Sequence, residues 1–375
     1  MRIAVLKEIK PKEKAASGAV AQLAARHQEV LVETSAGAGC SVVLTRDEMS
    51  ERCGCQGKLP GTELKELLAA AFSAPHGMDE HLPHPEDCAV LKHPGGDLLV
   101  TNDLGPLVGR DLFRAGKIAA LNSISDVYAM GGTPLWALAT LIIDRSSPSA
   151  TGASVLAGMA AACREEAVEV VGGQTLIGPE SMAGLSVIGR TNGGKVLAKS
   201  GARPGDRLMI SKPLGTGLVL RGYRLGLLGE PDLEAALRVM EQSNRDASLA
   251  AVQASASAAT DITGFGLLGH LAEMLVPDQL GATVYLKRVP VLAAIHRLPP
   301  SVAHTAWITG NLEYVRSSCR LVDVIEFEKI VALLDPQTSG GLLVAIHPQS
   351  AHQLERNGFI DIGVITQNPR LEVVR

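Results

Sequence analysis

A chain of 375 residues has room for two domains, and 46% hydrophobic with 20% charged residues describes a globular protein able to bury a core. A formal net charge of −4 excludes a strong electrostatic pull toward nucleic acid or a membrane surface, and 3% aromatic content excludes a stacking platform for single-stranded nucleic acid. Six cysteines are too sparse for a disulfide framework, so a reducing cytoplasm is the expected setting.

Residues 1–46 read as strand (IAVLKE), helix (GAVAQLAAR), strand (EVLVET) and a small-residue turn (SAGAGC). Through MRIAVLKEIKP and HQEVLVETSAGAG this opening resembles the first β-α-β unit of alanine dehydrogenases. Lys14, Ala15 and Ala16 stand where that family carries a substrate-binding arginine, and no GxGxxG fingerprint follows. The resemblance therefore implies an appended extension rather than a working dehydrogenase. The initial apolar run is shorter than a secretory signal requires, and the run at Pro134–Ile143 is about half of a membrane span.

Further on, Thr62 can cap a helix whose Leu64, Leu67, Leu68 and Ala71 share one face. DCAVLKH and DLLVTND are short strands around the turn residues Pro94, Gly95 and Gly96. Arg110 to Met130 predicts a long helix stopped by Gly131 and Gly132, and a second helix is predicted over about Gly152 to Val168. SGARPGD at 200–206 marks a boundary, followed by LMISKPLG, helical stretches near 232–256, TDITGFGLLGHLAEML and the strand GGLLVAIH. The expected division is 1–46, 47–203 and 204–375, in an α+β architecture.

Five places could carry chemistry. If residues 88–92 and 98–102 pair as a hairpin, Asp87 and Asp103 face each other at its open end. Carboxylates so close repel unless a cation or a shared proton intervenes, and hard oxygen ligands suit Mg²⁺ beside nucleotide phosphates; two solvated turn residues are the plain alternative. Asn122 and Asp126, four apart and so on one face of the long helix, are polar islands in IAALNSISDVYAM and read either as site residues or as a core hydrogen-bonding pair. Asp261 opens DITGFGLLGHL, where glycines lead into an apolar helix and could aim N–H groups at an anion. DPQTSGGLL offers a similar loop with Thr338, Ser339, Gly340 and Gly341, or a tight turn feeding a strand. In CGCQGK, Cys53, Cys55 and Lys58 combine thiols with a cation that would favour the thiolate or reach phosphate oxygens. No second CxC or CxxC supports zinc, and His76, His81 and His84, interleaved with prolines, read as an exposed loop.

From about residue 50 onward the chain resembles selenophosphate synthetases (selenide, water dikinases), within the aminoimidazole ribonucleotide synthetase-like superfamily. The resemblance is carried by CGCQGKLP, EDCAVL, LVTND, GKIAALNSISDVYAMGGTPLWALA, VGGQT, SKPLGTG, TDITGFGLLGHLAEM and LLDPQTSGGLL, in that order. It implies conversion of ATP, selenide and water to selenophosphate, AMP and phosphate. It makes Cys55 the catalytic cysteine, Lys58 the lysine that meets the triphosphate, and Asp87, Asp103, Asp126 and Asp261 the Mg²⁺ ligands. Asn122 and the Thr338–Gly340 loop then belong to the nucleotide site. It further implies a two-domain fold, with a dimerising sheet in the N-terminal α/β domain and a C-terminal α/β sandwich. Its implied partners are ATP and selenide or a selenium-delivery protein, in a cytoplasmic homodimer, and it leaves open a monovalent cation such as K⁺. Two departures stand out: Pro85-Glu86-Asp87 where the family has GDD, and Gln174 where it has His. They keep open another ATP-using enzyme of the superfamily, or a nucleotide-binding regulator without turnover.

Overall fold

The computed structural model describes residues 3–5, 30–32, 64, 67, 86–145, 149–191, 196–303, 305–316, 319–321 and 327–375. Cys53, Cys55, Lys58, Thr62, Leu68, Ala71, His76, His81, His84 and Pro85 lie outside them. Two compact units divide the chain, Met1–Glu51 and Arg52–Arg375. In the first, β1 (Ile3–Val5) and β2 (Val30–Val32) pair in parallel, with Ile3 opposite Val30.

The second unit contains two sheets. The first has the order β3-β4-β7-β5-β6, with β3 (Ala89–Leu91), β4 (Leu98–Pro106), β5 (Gly132–Asp144), β6 (Glu169–Gly178) and β7 (Met182–Thr191). Pairing is antiparallel except for the parallel edge β5–β6. Helices α1 (Leu112–Ala129) and α2 (Ser149–Glu165) pack on it, closing a core that includes Leu99, Ile124, Leu141, Met159 and Leu185. Asp111 starts α1 by accepting from the N–H groups of Phe113 and Arg114, and Gly131, at φ +70°, ends it. The expected helix is present two residues shorter at its start. Pro134, which lacks a ladder donor, sits inside β5 because the register shifts there, between Pro134 and Trp136.

The hairpin differs from its expected register. Ala89 pairs with Val100 and Leu91 with Leu98, so continuing the ladder would set Asp87 opposite Asn102 rather than Asp103. The closing turn runs from His93 to Gly96, whose N–H donates to the His93 carbonyl at 3.0 Å with Gly96 at φ +112°. That longer loop absorbs one residue more than the expected turn, and a one-residue slip exchanges the faces of a strand.

The second sheet has seven strands in the order β11-β14-β10-β13-β8-β12-β9. They are β8 (Arg207–Ile210), β9 (Ala258–Asp261), β10 (Gly281–Tyr285), β11 (Cys319–Leu321), β12 (Leu342–Ile346), β13 (Ile360–Thr366) and β14 (Leu371–Val374). Around it lie α3 (Thr216–Arg224), α4 (Glu230–Met240), α5 (Arg245–Gln253), α6 (Gly266–Leu275), α7 (Ala306–Val315), α8 (Phe327–Leu334) and the short α9 (Ala351–Glu355). β12 is buried throughout: Leu343 and Ala345 join one apolar cluster, while Leu342, Val344 and Ile346 join another on the opposite face. A continuous apolar run is what a strand covered on both sides requires. Among the described residues no helix is long and apolar enough to cross a membrane.

Candidate active site

The two sheets meet along α1, and that contact is polar. Asn122, buried on α1, donates from Nδ2 to Asp103 Oδ2 on β4 and accepts at Oδ1 from the Ser339 N–H at 2.6 Å. One turn on, Thr101 Oγ1 donates to Asp126 Oδ2 at 2.6 Å. Between them Ser125 Oγ donates to Asp261 Oδ2 at 2.7 Å, and Asn244 Nδ2 bridges Ser125 Oγ and the Gly340 carbonyl, both at 2.8 Å. Asn122 thus links β4 to a loop of the second sheet, while Asp126 is held from β4.

Asp87, just before β3, is tied to the second sheet as well. Its Oδ1 accepts from Thr260 Oγ1 at 3.0 Å and sits 2.8 Å from Lys199 Nζ. Its Oδ2 is buried without a hydrogen-bond partner. Cys88, next in sequence, records the charge around it: burial pushes its thiol pKa up, and the carboxylates of Asp126, Asp87 and Asp261 push it further. Three of the four expected carboxylates therefore act on one small volume. Asp103 joins through Asn122, lining a narrow recess with Pro106, Ile118, Asn122 and Thr338.

The DPQTSGG segment divides its labour. Asp335 Oδ2 accepts from the Leu218 N–H at 3.0 Å, and Gln337 Oε1 accepts from the N–H groups of Gly215 and Thr216, so this half caps α3. The Thr338–Gly341 half turns back against Asp261: the Ile262 N–H donates to the Gly341 carbonyl at 2.9 Å, and a Cβ on Gly340 would strike the Ile262 carbonyl. Ser339 holds φ +49°, a left-handed value uncommon for a residue with a side chain. Buried Lys212 fastens the turn, donating to the Ser339 carbonyl at 2.9 Å and to the Gln242 carbonyl at 2.6 Å. Burial pulls its pKa down to about 7 although nearby Asp261 favours the charged form.

Thr101, Ser125, Lys199, Lys212, Asn244 and Glu273 were not singled out from the sequence. Each lies outside any glycine loop or paired-carboxylate pattern, and only the meeting of the two sheets reveals them. Among the described residues, no three His, Cys, Asp or Glu side chains gather closely enough to form an ion cage by themselves. Mg²⁺ in nucleotide sites is commonly held by one or two carboxylates together with substrate phosphates, so hard oxygens with one buried orphan atom suit it.

This fold and cleft define a class of protein. The AIR synthase related protein, N-terminal domain, matches residues 85–191, and the AIR synthase related protein, C-terminal domain, matches residues 203–375. Thiamine monophosphate kinase from Aquifex aeolicus has the same fold, with a TM-score of 0.59 at 20% identity, covering 84% of this chain and 97% of that one. Within the class, the selenide, water dikinase of Carboxydothermus hydrogenoformans is 36% identical over 284 residues, 74% of this chain and 82% of the relative. That of Dechloromonas aromatica is 32% identical over 342 residues, 87% of this chain and 97% of the relative. The chain belongs to the selenide, water dikinase family of ATP-dependent enzymes.

Proposed function

We propose that the chain makes selenophosphate from ATP, selenide and water, releasing AMP and phosphate, with Mg²⁺ held at Asp87, Asp103, Asp126 and Asp261. The observation that carries this reading is the buried, unpartnered Asp87 Oδ2 in a region where the Asp87, Asp126 and Asp261 carboxylates all act on the Cys88 thiol; one ammonium, Lys199, offsets only part of that charge and leaves room for a cation. When bound, Mg²⁺ would supply charge neutralisation between these carboxylates and the triphosphate, the main requirement of phosphoryl transfer. Asn122 keeps Asp103 and the Ser339 turn in one arrangement, and Ser125 does the same for Asp261. Thr338 borders the recess, and the Thr338–Gly340 turn is suited to contact the nucleotide. Lys58 would offset charge on the triphosphate, and Cys55 would handle selenium, as a thiolate relay or by delivering it; both roles rest on the CGCQGK sequence. Selenide, free or carried by a delivery protein, is the co-substrate, in the cytoplasm, and a monovalent cation such as K⁺ is compatible with the oxygen-rich cleft.

The chain is further proposed to act as a homodimer. Edge strand β6 is exposed along nearly its whole length, and it carries Val170, Val171, Leu176 and Ile177, with Trp136 and Leu138 exposed on β5 beside it. An apolar strand edge of this kind is a template for pairing with another copy.

Phosphorus NMR of the protein with ATP, Mg²⁺ and selenide tests the reaction. AMP and selenophosphate should appear only when selenide is present. Lys58→Ala should abolish ATP turnover, and Cys55→Ser should abolish selenophosphate formation. Formation of ADP, or binding without turnover, would overturn the assignment.

A further inference from the structure

Lys199 lies outside the catalytic roles given above, yet it is the one ammonium in contact with the carboxylates of the cleft among the described residues. Its Nζ is 2.8 Å from Asp87 Oδ1 and 3.1 Å from Glu273 Oε2, and the three side chains are only 8%, 5% and 8% exposed. Its own N–H donates to Glu86 Oε2 at 2.8 Å, so the residue before Asp87 holds the backbone that carries the ammonium. Glu273, on α6, also accepts from Tyr314 Oη at 3.3 Å, and His270 Nδ1 stands 3.4 Å from it. Burial disfavours the charged ammonium, but the Asp87 and Glu273 carboxylates outweigh that and raise its pKa.

The two donors to Asp87 converge on a single atom. Lys199 Nζ and Thr260 Oγ1 both meet Oδ1, and Oδ2 is left buried with no partner. Glu273 offsets the ammonium charge, so the pair adds little repulsion toward a cation. A carboxylate anchored through one oxygen has only one way to present the other.

We infer that Lys199 is a positioning residue for the divalent cation: it pins one oxygen of Asp87 so that the other is presented to the ion, and Glu273 holds it in that role. The inference rests on the reading of Asp87 as a cation ligand. Partners that orient metal-binding side chains typically contribute about 10–100-fold to affinity.

The test is Mn²⁺ affinity of the full-length protein with a non-hydrolysable ATP analogue, read from the free-Mn²⁺ electron paramagnetic resonance signal alongside a thermal melt. The paired variant Lys199→Met/Glu273→Gln removes both charges together, so the trio keeps its net charge and Asp87 is left with Thr260 alone. It should still melt cooperatively and bind Mn²⁺ about 10–100-fold more weakly. Thr260→Val, which removes the other donor to Oδ1, should also weaken binding, by a smaller factor. Affinity equal to or tighter than wild type in the paired variant would make Lys199 a mere counter-charge and overturn the inference. Wild-type affinity in Asp87→Asn would instead remove the cation reading itself and this inference with it.

Discussion

Asp335 shows how one buried carboxyl can be pulled two ways. The start of α3 offers it N–H donors that favour a charge, including those of Leu218 and Gly217, and Gln337 Nε2 donates at 3.0 Å. Burial opposes them and prevails, raising its pKa from 3.8 to about 7. The unfolded chain releases this proton near 3.8 and the folded chain near 7, so between those values the folded state binds more protons. The contribution of Asp335 to stability therefore falls as pH rises through that window and levels off above it. Asp335→Asn, which keeps the side chain neutral, should gain on wild type across the same window. Urea midpoints of both proteins over that pH range would show a constant difference if Asp335 ionised normally in the fold.

At the scale of elements, the packing of α1 against α2 depends on two glycines. A Cβ on Gly116 would fall 2.0 Å from the Val155 carbonyl oxygen, and one on Gly158 would fall 1.9 Å from that of Phe113. Each helix lays a glycine against the other's backbone, which cannot move aside as a side chain could. Gly158→Ala gains about 1 kcal/mol of helix propensity, but separating the helices should cost more, for a net loss of about 1–3 kcal/mol. A lower urea midpoint is expected, and an unchanged or higher one would mean the crossing relaxes freely. α1 itself was legible in the sequence, because Gly131 and Gly132 mark its end and its polar islands interrupt an apolar helix; its start was expected at Arg110, ahead of the Asp111 cap. The site aspartates were legible as residue types within recognisable blocks. The facing of Asp87 and Asp103 was not, because hairpin register depends on how many residues the turn absorbs, and that is settled by backbone geometry at His93–Gly96. Strands β5 and β7 were also missed: Pro134 and the neighbouring glycines read as a stop, and only the register shift makes the proline compatible with a ladder.

For the molecule as a whole, the two sheets are bolted together by long-range ion pairs as well as by the cleft. Arg114 on α1 grips Glu234 at 2.6 Å and Glu241 at 2.7 Å, and Arg245 lies 3.1 Å from Glu166 while donating to Tyr128 Oη. Both glutamates raise the Arg114 pKa through hydrogen bonds, a direction that favours the clamp at every physiological pH. The β6 edge bears on the assembly state. Val171→Lys/Ile177→Lys should elute at the mass of one chain in light scattering, and the proposed dimer requires wild type to elute at twice that mass. A monomeric wild type would end the homodimer proposal. The lysines break the apolar edge that the proposed contact needs, a common natural device against strand addition.

Within the stretch joining the sheets, residues 197–201 are stitched at nearly every step. Leu197 N–H donates to the Met130 carbonyl, the Ala198 carbonyl accepts from Ala259, Lys199 N–H reaches Glu86, and Gly201 N–H reaches Asp278. A connector of this kind cannot drift in length as ordinary surface loops do, since one inserted residue would throw Lys199 and its neighbours out of phase with both sheets. Over evolutionary time, length variation should collect elsewhere in the chain, and this short passage should behave like a measured spacer whose residue count is inherited along with the cleft.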